Sequence, residues 1–194
     1  MEASEGIRVC GFGGRSPEDT PTYEAKSAAR LRDDFAPTLH VVRAIYDGPD
    51  LDDVARQTGL SIAEVVALHA GRDYDVELIG FLPGFAYLAA LDPRLVTPRR
   101  PAPRPRVPKG SLAIAGPYTG IYSLASPGGW HLIGRTPAPL WDLQRDPPAT
   151  LAAGDQVRFV PITLGDYEAL ARRSASGALR LQPEEHLAAA GAAA

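Results

Sequence analysis

Cysteine is nearly missing from this chain. Cys10 is the single example in 194 residues, so no disulfide can close within the chain and a reducing, cytoplasmic setting is expected. Four scattered histidines, His40, His69, His131 and His186, add no metal-ligand spacing to that lone thiol, and no tightly bound metal is expected. No apolar run approaches the roughly eighteen residues that a membrane helix requires, so no membrane association is expected. The opening "MEASEGIRVC" has neither a basic head nor an apolar stretch, and no secretory signal is read there. Catalytic signatures are missing too. No glycine-rich loop ends in Gly-Lys-Ser or Gly-Lys-Thr, the dinucleotide fingerprint does not occur, and "GFGG" at 11–14 is too short to stand for either. Ser126 lacks the Gly-x-Ser-x-Gly elbow, and Ser111 after Lys109-Gly110 lacks the spacing of a serine–lysine pair. Hydrolysis by this chain alone, through its own nucleophile, is not indicated.

Negative charge is missing locally. From Pro93 to Trp141 there is no aspartate or glutamate, while Arg94, Arg99, Arg100, Arg104, Arg106, Lys109 and Arg135 all fall inside. The whole chain carries −3, so outside that window the balance is −10. An acidic total argues against general nucleic-acid binding. A basic middle in an acidic frame points to a local anion site, or else to arginines that merely decorate a proline-rich loop.

What is present reads as one globular domain, with 45% hydrophobic and 22% charged residues. Residues 1–36 are weakly patterned: "GIRVCGFGG" reads as a short strand and "TYEAKSAARLRDDF" has helical composition. From Thr38, "TLHVVRAIYDG" reads as a strand. Two short helices are expected next. Asp50 suits the first N-cap, Leu51, Val54 and Ala55 its apolar stripe and Gly59 its stop. Ser61 and Glu64 form a capping box for the second, which Gly71 ends. "YDVELIGF" is a strand, and "TPRRPAPRPRVPKG", with five prolines, is a stiff extended loop that cannot be a helix or a central strand. Then come "SLAIAG", "TGIYSLA", "WHLIGRT" and "VRFVPI", short strands punctuated by glycine and proline. Such spacing predicts a mainly β domain with a few helices, a barrel or a sandwich. Thr163 caps a closing helix, "TLGDYEALARR". The expected boundaries are 1–36 for a divergent segment, 37–172 for the domain and 173–194 for a flexible tail.

Candidate site residues come from three runs. In "GFLPGFAYL", Phe81, Phe85 and Tyr87 flank the turn Pro83-Gly84. They form either a core-facing corner or the apolar wall of a pocket. "GPYTGIYSLASPGGWHLIGRT" has five glycines in twenty-one residues, enough to bare backbone N–H groups to an oxyanion. Its candidates are Gly116, Thr119, Gly120, Tyr122, Ser126, Gly128, Gly129 and Trp130. If 130–134 is a strand, His131 and Arg135 share a face. Arginine then clamps an anion and histidine carries a proton, or the histidine is only structural. Arg104 and Arg106 complete the set from the proline-rich loop.

The runs "GFLPGFAYL", "LDPRL", "TPRR", "AIAG", "TGIY", "SPGGW", "LIGRTP" and "VRFVPI" closely resemble one family. It comprises the B-type component of the prokaryotic ATP-dependent 5-oxoprolinase, also called allophanate hydrolase subunit 1, together with sporulation-kinase inhibitors. The resemblance runs from about Thr38 to Leu170. It implies a cyclophilin-like β-barrel, and a C-type carboxyltransferase-like partner that works with an A-type component. It further implies a small lactam or amide substrate and ATP, with Mg2+ brought by the nucleotide. Opening of 5-oxo-L-proline to glutamate is the implied reaction. Two other roles within the same resemblance are inhibition of a sensor histidine kinase by protein binding, and a carboxyltransferase-type unit acting on a urea-like amide. Family members begin with an α/β lobe of about eighty residues, and 1–36 do not read like that lobe.

Overall fold

The alternation of valine and alanine with polar residues after Thr38 forms the first strand, β1 (Leu39–Ala44), which buries Val42 and Ala44 completely. The structure is a computed structural model. It describes residues 37–179, 181, 183 and 184, within a unit that begins at residue 36. The strand and helix read in 1–36 lie outside the described residues. After β1 come helices α1 (Leu51–Thr58) and α2 (Ile62–Ala70), strands β2 (Asp73–Ile79) and β3 (Ala86–Leu88), and a 3-10 turn at Pro93–Leu95. Strands β4 (Arg104–Val107), β5 (Ser111–Ala115), β6 (Tyr118–Ile121), β7 (Ser126–Gly128), β8 (His131–Arg135) and β9 (Gln156–Pro161) follow. Helix α3 (Leu164–Ala175) and strand β10 (Pro183–Glu184) close the order, so both helix and strand enter the stretch after residue 172.

Eight strands form one sheet in the order β10-β1-β9-β2-β3-β6-β5-β8. β1 runs parallel to β9, and the other pairings are antiparallel. The sheet curls until its far edge returns. Just past β1, Ile45 exchanges both backbone hydrogen bonds with Arg135 of β8, each 2.9 Å long. A mainly β domain with a barrel-like sheet and three helices is thus the architecture that the sequence implied. The proline-rich loop is less irregular than expected. Its 104–107 part pairs with β7 as a separate two-stranded ribbon. That ribbon leaves Pro105 exposed and outside the main sheet, where a missing N–H costs little.

Strand β5 explains how two cores arise. All five of its residues are buried. Leu112 and Ile114 join the inner core with Val42, Val54, Val65, Ile133 and Phe159. Ala113 and Ala115 face the other way, into a second cluster with Phe85, Val107, Tyr122, Trp130 and Leu132. Alternation puts large residues inside the curl and small ones under a layer of aromatics. Each fully buried leucine or isoleucine contributes about 1.5–3 kcal/mol. The helices end as their residues dictate. Gly59 stops α1 at φ 71°, and Ser61 and Glu64 cap α2 reciprocally. Thr163 accepts from the Asp166 N–H at the start of α3.

One polar chain crosses the inner core. The Thr119 hydroxyl donates to the Ala113 carbonyl at 3.1 Å, so it accepts from His69 Nε2–H at 2.8 Å. His69 Nδ1 is thereby left to accept from the Tyr46 hydroxyl at 2.8 Å. Burial pushes the His69 imidazole down to about 3, so it is held neutral, as a two-way link between α2 and β6 must be.

Candidate functional site

The outer aromatic cluster, the β4–β7 ribbon and the loop before it place most of the sequence-derived candidates on one face. The glycine pair shows how. A Cβ on Gly128 would lie 2.2 Å from the Tyr122 hydroxyl oxygen. The close approach that Gly128 permits is therefore to the Tyr122 ring. Gly129 turns its carbonyl to the Arg100 N–H at 2.8 Å and so pins the proline-rich loop. Trp130 is buried between Phe85 and Tyr87, with edge contacts at 5.6 and 5.7 Å between ring centroids. Gly120 is closely packed, since a Cβ would meet Ala86 O and Phe85 Cζ at 3.0 Å.

Phe81 stands out. It is 60% exposed and holds φ at +67°, a left-handed conformation that is an outlier for a bulky side chain. Its ring meets Phe85 at 5.6 Å and Tyr122 at 6.4 Å, both edge-on. Tyr87 is half-buried and stacks edge-on to Tyr118 at 5.7 Å. Pro83 and Gly84 form the turn between these aromatics. The Pro83 carbonyl accepts from the Ser123 hydroxyl at 2.7 Å, and Gly84 sits at φ 70°.

The cations divide into two groups. Arg104 donates to both oxygens of Asp50 at 2.7 and 2.8 Å, and Arg100 donates at 2.6 Å. The Leu132 N–H adds a fourth bond at 2.7 Å. Asp50 is 1% exposed. Burial pushes its carboxyl up, but the Arg104 and Leu132 hydrogen bonds and the two guanidinium charges outweigh it, and the carboxyl is held below its ordinary range. Asp50 occupies the N-cap position expected for α1, yet makes no side-chain cap, because its carboxylate is fully engaged by these partners. Arg135 is likewise held, with Nε and Nη2 both on Asp47 and the guanidinium 4.4 Å above the Tyr167 ring. Arg94 pairs with Asp92. Arg99, Arg106 and Lys109 remain exposed with no acid partner among the described residues.

His131 and Arg135 share β8 but turn to different groups. His131 is buried, and its Nε2–H donates to the Pro98 carbonyl at 3.0 Å. Its Nδ1 is buried with no hydrogen-bond partner. Thr97 Oγ1 and Arg100 Nε are also buried without one. Thr119 points into the inner core toward His69. The Ser126 hydroxyl donates only to its neighbour's carbonyl, at Pro127. Gly116 bridges Thr97 at φ 55°. No cluster of three or more His, Cys, Asp or Glu side chains fit to hold a metal occurs among the described residues, and no described helix is long and apolar enough to cross a membrane. Sequence reasoning did not identify Asp47 and Asp50 as the partners of these arginines. Both lie outside the acid-free window, 50 to 88 residues from the groups they bind.

The chain is 55% identical over 123 residues to the 5-oxoprolinase B subunit of Escherichia coli O157:H7, covering 63% of this chain and 56% of that protein. It is 46% identical over 127 residues to the 5-oxoprolinase B subunit of Bacillus subtilis (strain 168), covering 66% and 53%. A conserved uncharacterized protein of Pyrococcus horikoshii superposes with a TM-score of 0.65 at 43% identity, over 67% of this chain and 62% of that one. The chain thus spans about half the length of the curated relatives it matches. The family described as carboxyltransferase domain, subdomain C and D, matches residues 21–151. This match starts inside the segment that the sequence set apart. The chain belongs to that carboxyltransferase-domain family.

Proposed function

We propose that this chain is the B-type component of an ATP-dependent 5-oxoprolinase, active together with a C-type carboxyltransferase-like partner and an A-type component. The observation that carries this reading is the 55% identity over 123 residues with the Escherichia coli protein of that name. In the proposed reaction the lactam carbonyl oxygen takes the γ-phosphoryl group of ATP and ADP leaves. Water then adds at the carbonyl carbon and the C–N bond opens to leave an acyl phosphate, which a second water hydrolyses to L-glutamate and phosphate. Phosphoryl transfer asks for positioning and positive charge more than for covalent help. The fit of this chain to such a ligand rests on Arg99, Arg106 and Lys109, three exposed cations with no acid partner among the described residues. The strained, exposed Phe81 belongs to the aromatic cluster and offers a flat apolar surface to a lactam ring. Arg135 acts on an oxyanion in this reading only by exchanging Asp47 for it.

The test is reconstitution. The chain is purified with its C-type and A-type partners, and ADP release is followed with and without 5-oxo-L-proline. Lactam-dependent release that falls tenfold or more in Arg106→Ala supports the reading. A correctly assembled complex with no lactam-dependent release overturns it.

A further inference from the structure

Helix α3 is twelve residues long and buries none of them, so its underside is not sealed against the sheet. Beneath it, at the ends of β1 and β9, lies a hollow of about 450 Å³ lined by Arg43, Ile162, Asp166, Ala169, Leu170 and Arg173. That volume lies in the range of small-molecule sites, and half of its lining residues are charged. None of these residues belongs to the aromatic and basic face described above.

The charges define the ligand. Neither Arg43 nor Arg173 has an acid partner among the described residues. Arg43 and Arg173 both line the hollow and bias it toward an anion. Asp166 accepts the Thr163 hydroxyl at 2.7 Å through Oδ2, which leaves Oδ1 without a described partner. The Arg43 backbone is fixed, because its carbonyl accepts the Thr136 hydroxyl at 2.7 Å and its strand lies inside the sheet. Two positive groups and one negative group thus line the hollow together with Ile162, Ala169 and Leu170. We propose that this hollow binds an amino-dicarboxylate, whose two carboxylates meet Arg43 and Arg173 and whose ammonium meets Asp166. Arginine–carboxylate pairs of this kind are bidentate and among the stronger polar contacts. The site rests on the charge arrangement alone. Only the choice of L-glutamate as probe rests on the proposed function, where it is the product, and its retention here would report product level to the enzyme.

Calorimetric titration of the whole chain with L-glutamate, without ATP or lactam, tests the site separately from any turnover. Saturable one-to-one binding is expected. L-Glutamine, which lacks one carboxylate, binds tenfold or more weakly, and so does L-glutamate to Arg43→Gln and to Arg173→Gln, with melting temperatures unchanged because both side chains are exposed. No saturation by about 10 mM L-glutamate, equal binding of L-glutamine, or unaltered affinity in both variants overturns the proposal.

Discussion

Replacing Asp50 with asparagine is the sharpest test of how the basic loop is held. The carboxylate is 1% exposed and accepts four hydrogen bonds, three from Arg100 and Arg104 and one from the Leu132 N–H. Asparagine has nearly the same shape but carries no charge, and its NH2 presents hydrogens to guanidinium hydrogens. Two cations are then left around a neutral amide. Breaking a buried ion pair by removing one partner costs about 3–5 kcal/mol, which for a domain of this size lowers Tm by roughly 6–20 °C. Urea and thermal melts of Asp50→Asn read the loss directly. The loop from Arg99 to Lys109 loses its seat on α1 and β8, so tryptic cleavage at Arg99, Arg106 and Lys109 quickens. The same group carries a pH signature. Its folded carboxyl titrates below the ordinary value, so its stabilisation is fully present above the unfolded carboxylate range and is lost as pH falls through the folded value. Wild type loses this share in acid, and Asp50→Asn has none to lose. A variant within about 1 kcal/mol of wild type at pH 7 would refute the claim that Asp50 holds the loop.

Other expectations follow from single contacts. Thr119→Val strips the acceptor from buried His69 Nε2–H and costs about 1–3 kcal/mol in urea unfolding; no change would mean that the chain of hydrogen bonds is idle. Because His69 is pushed down to about 3 in the fold, its contribution is present above pH 6.5 and declines below it. Wild type should lose about 1 kcal/mol more than His69→Gln between pH 6.5 and 5.5, and parallel stability curves would count against this. Gly128→Ala drives a methyl onto the Tyr122 hydroxyl and costs about 1–3 kcal/mol. Tyr122→Phe in the same chain recovers part of that loss, and a double variant no better than the single one would place the clash elsewhere. In the reconstituted complex Arg135→Ala should lower turnover tenfold or more, whereas Asp47→Asn, which frees the guanidinium, should not. Equal loss in both would mark Arg135 as a clamp and reject its role toward substrate.

Much of this molecule is written locally. Gly59, the Ser61–Glu64 box and the Thr163 cap end their helices where the residues say, because a cap is decided within four positions of chain. The strands after residue 110 announce themselves as apolar runs between glycines. β7 does not, since three residues centred on a proline carry no strand pattern and only pairing with β4 makes them one. The aromatic residues could be named from sequence, and Phe81, Phe85, Tyr87, Tyr122 and Trp130 do meet edge-on in one cluster. Which arginines are free could not be read. Asp50 reaches Arg104 across 54 positions and Leu132 across 82, and charge counts along a chain contain no such distances. The chain alone determined its helices, its barrel-forming strands and an excess of positive charge in the middle, all of which follow from short-range chemistry. Only the closure of the sheet on itself decided that Asp50 and Asp47 neutralise part of that excess, that Gly128 is bare for a tyrosine, and that Phe81 is held strained and exposed. Those outcomes depend on groups that meet only when distant segments pack.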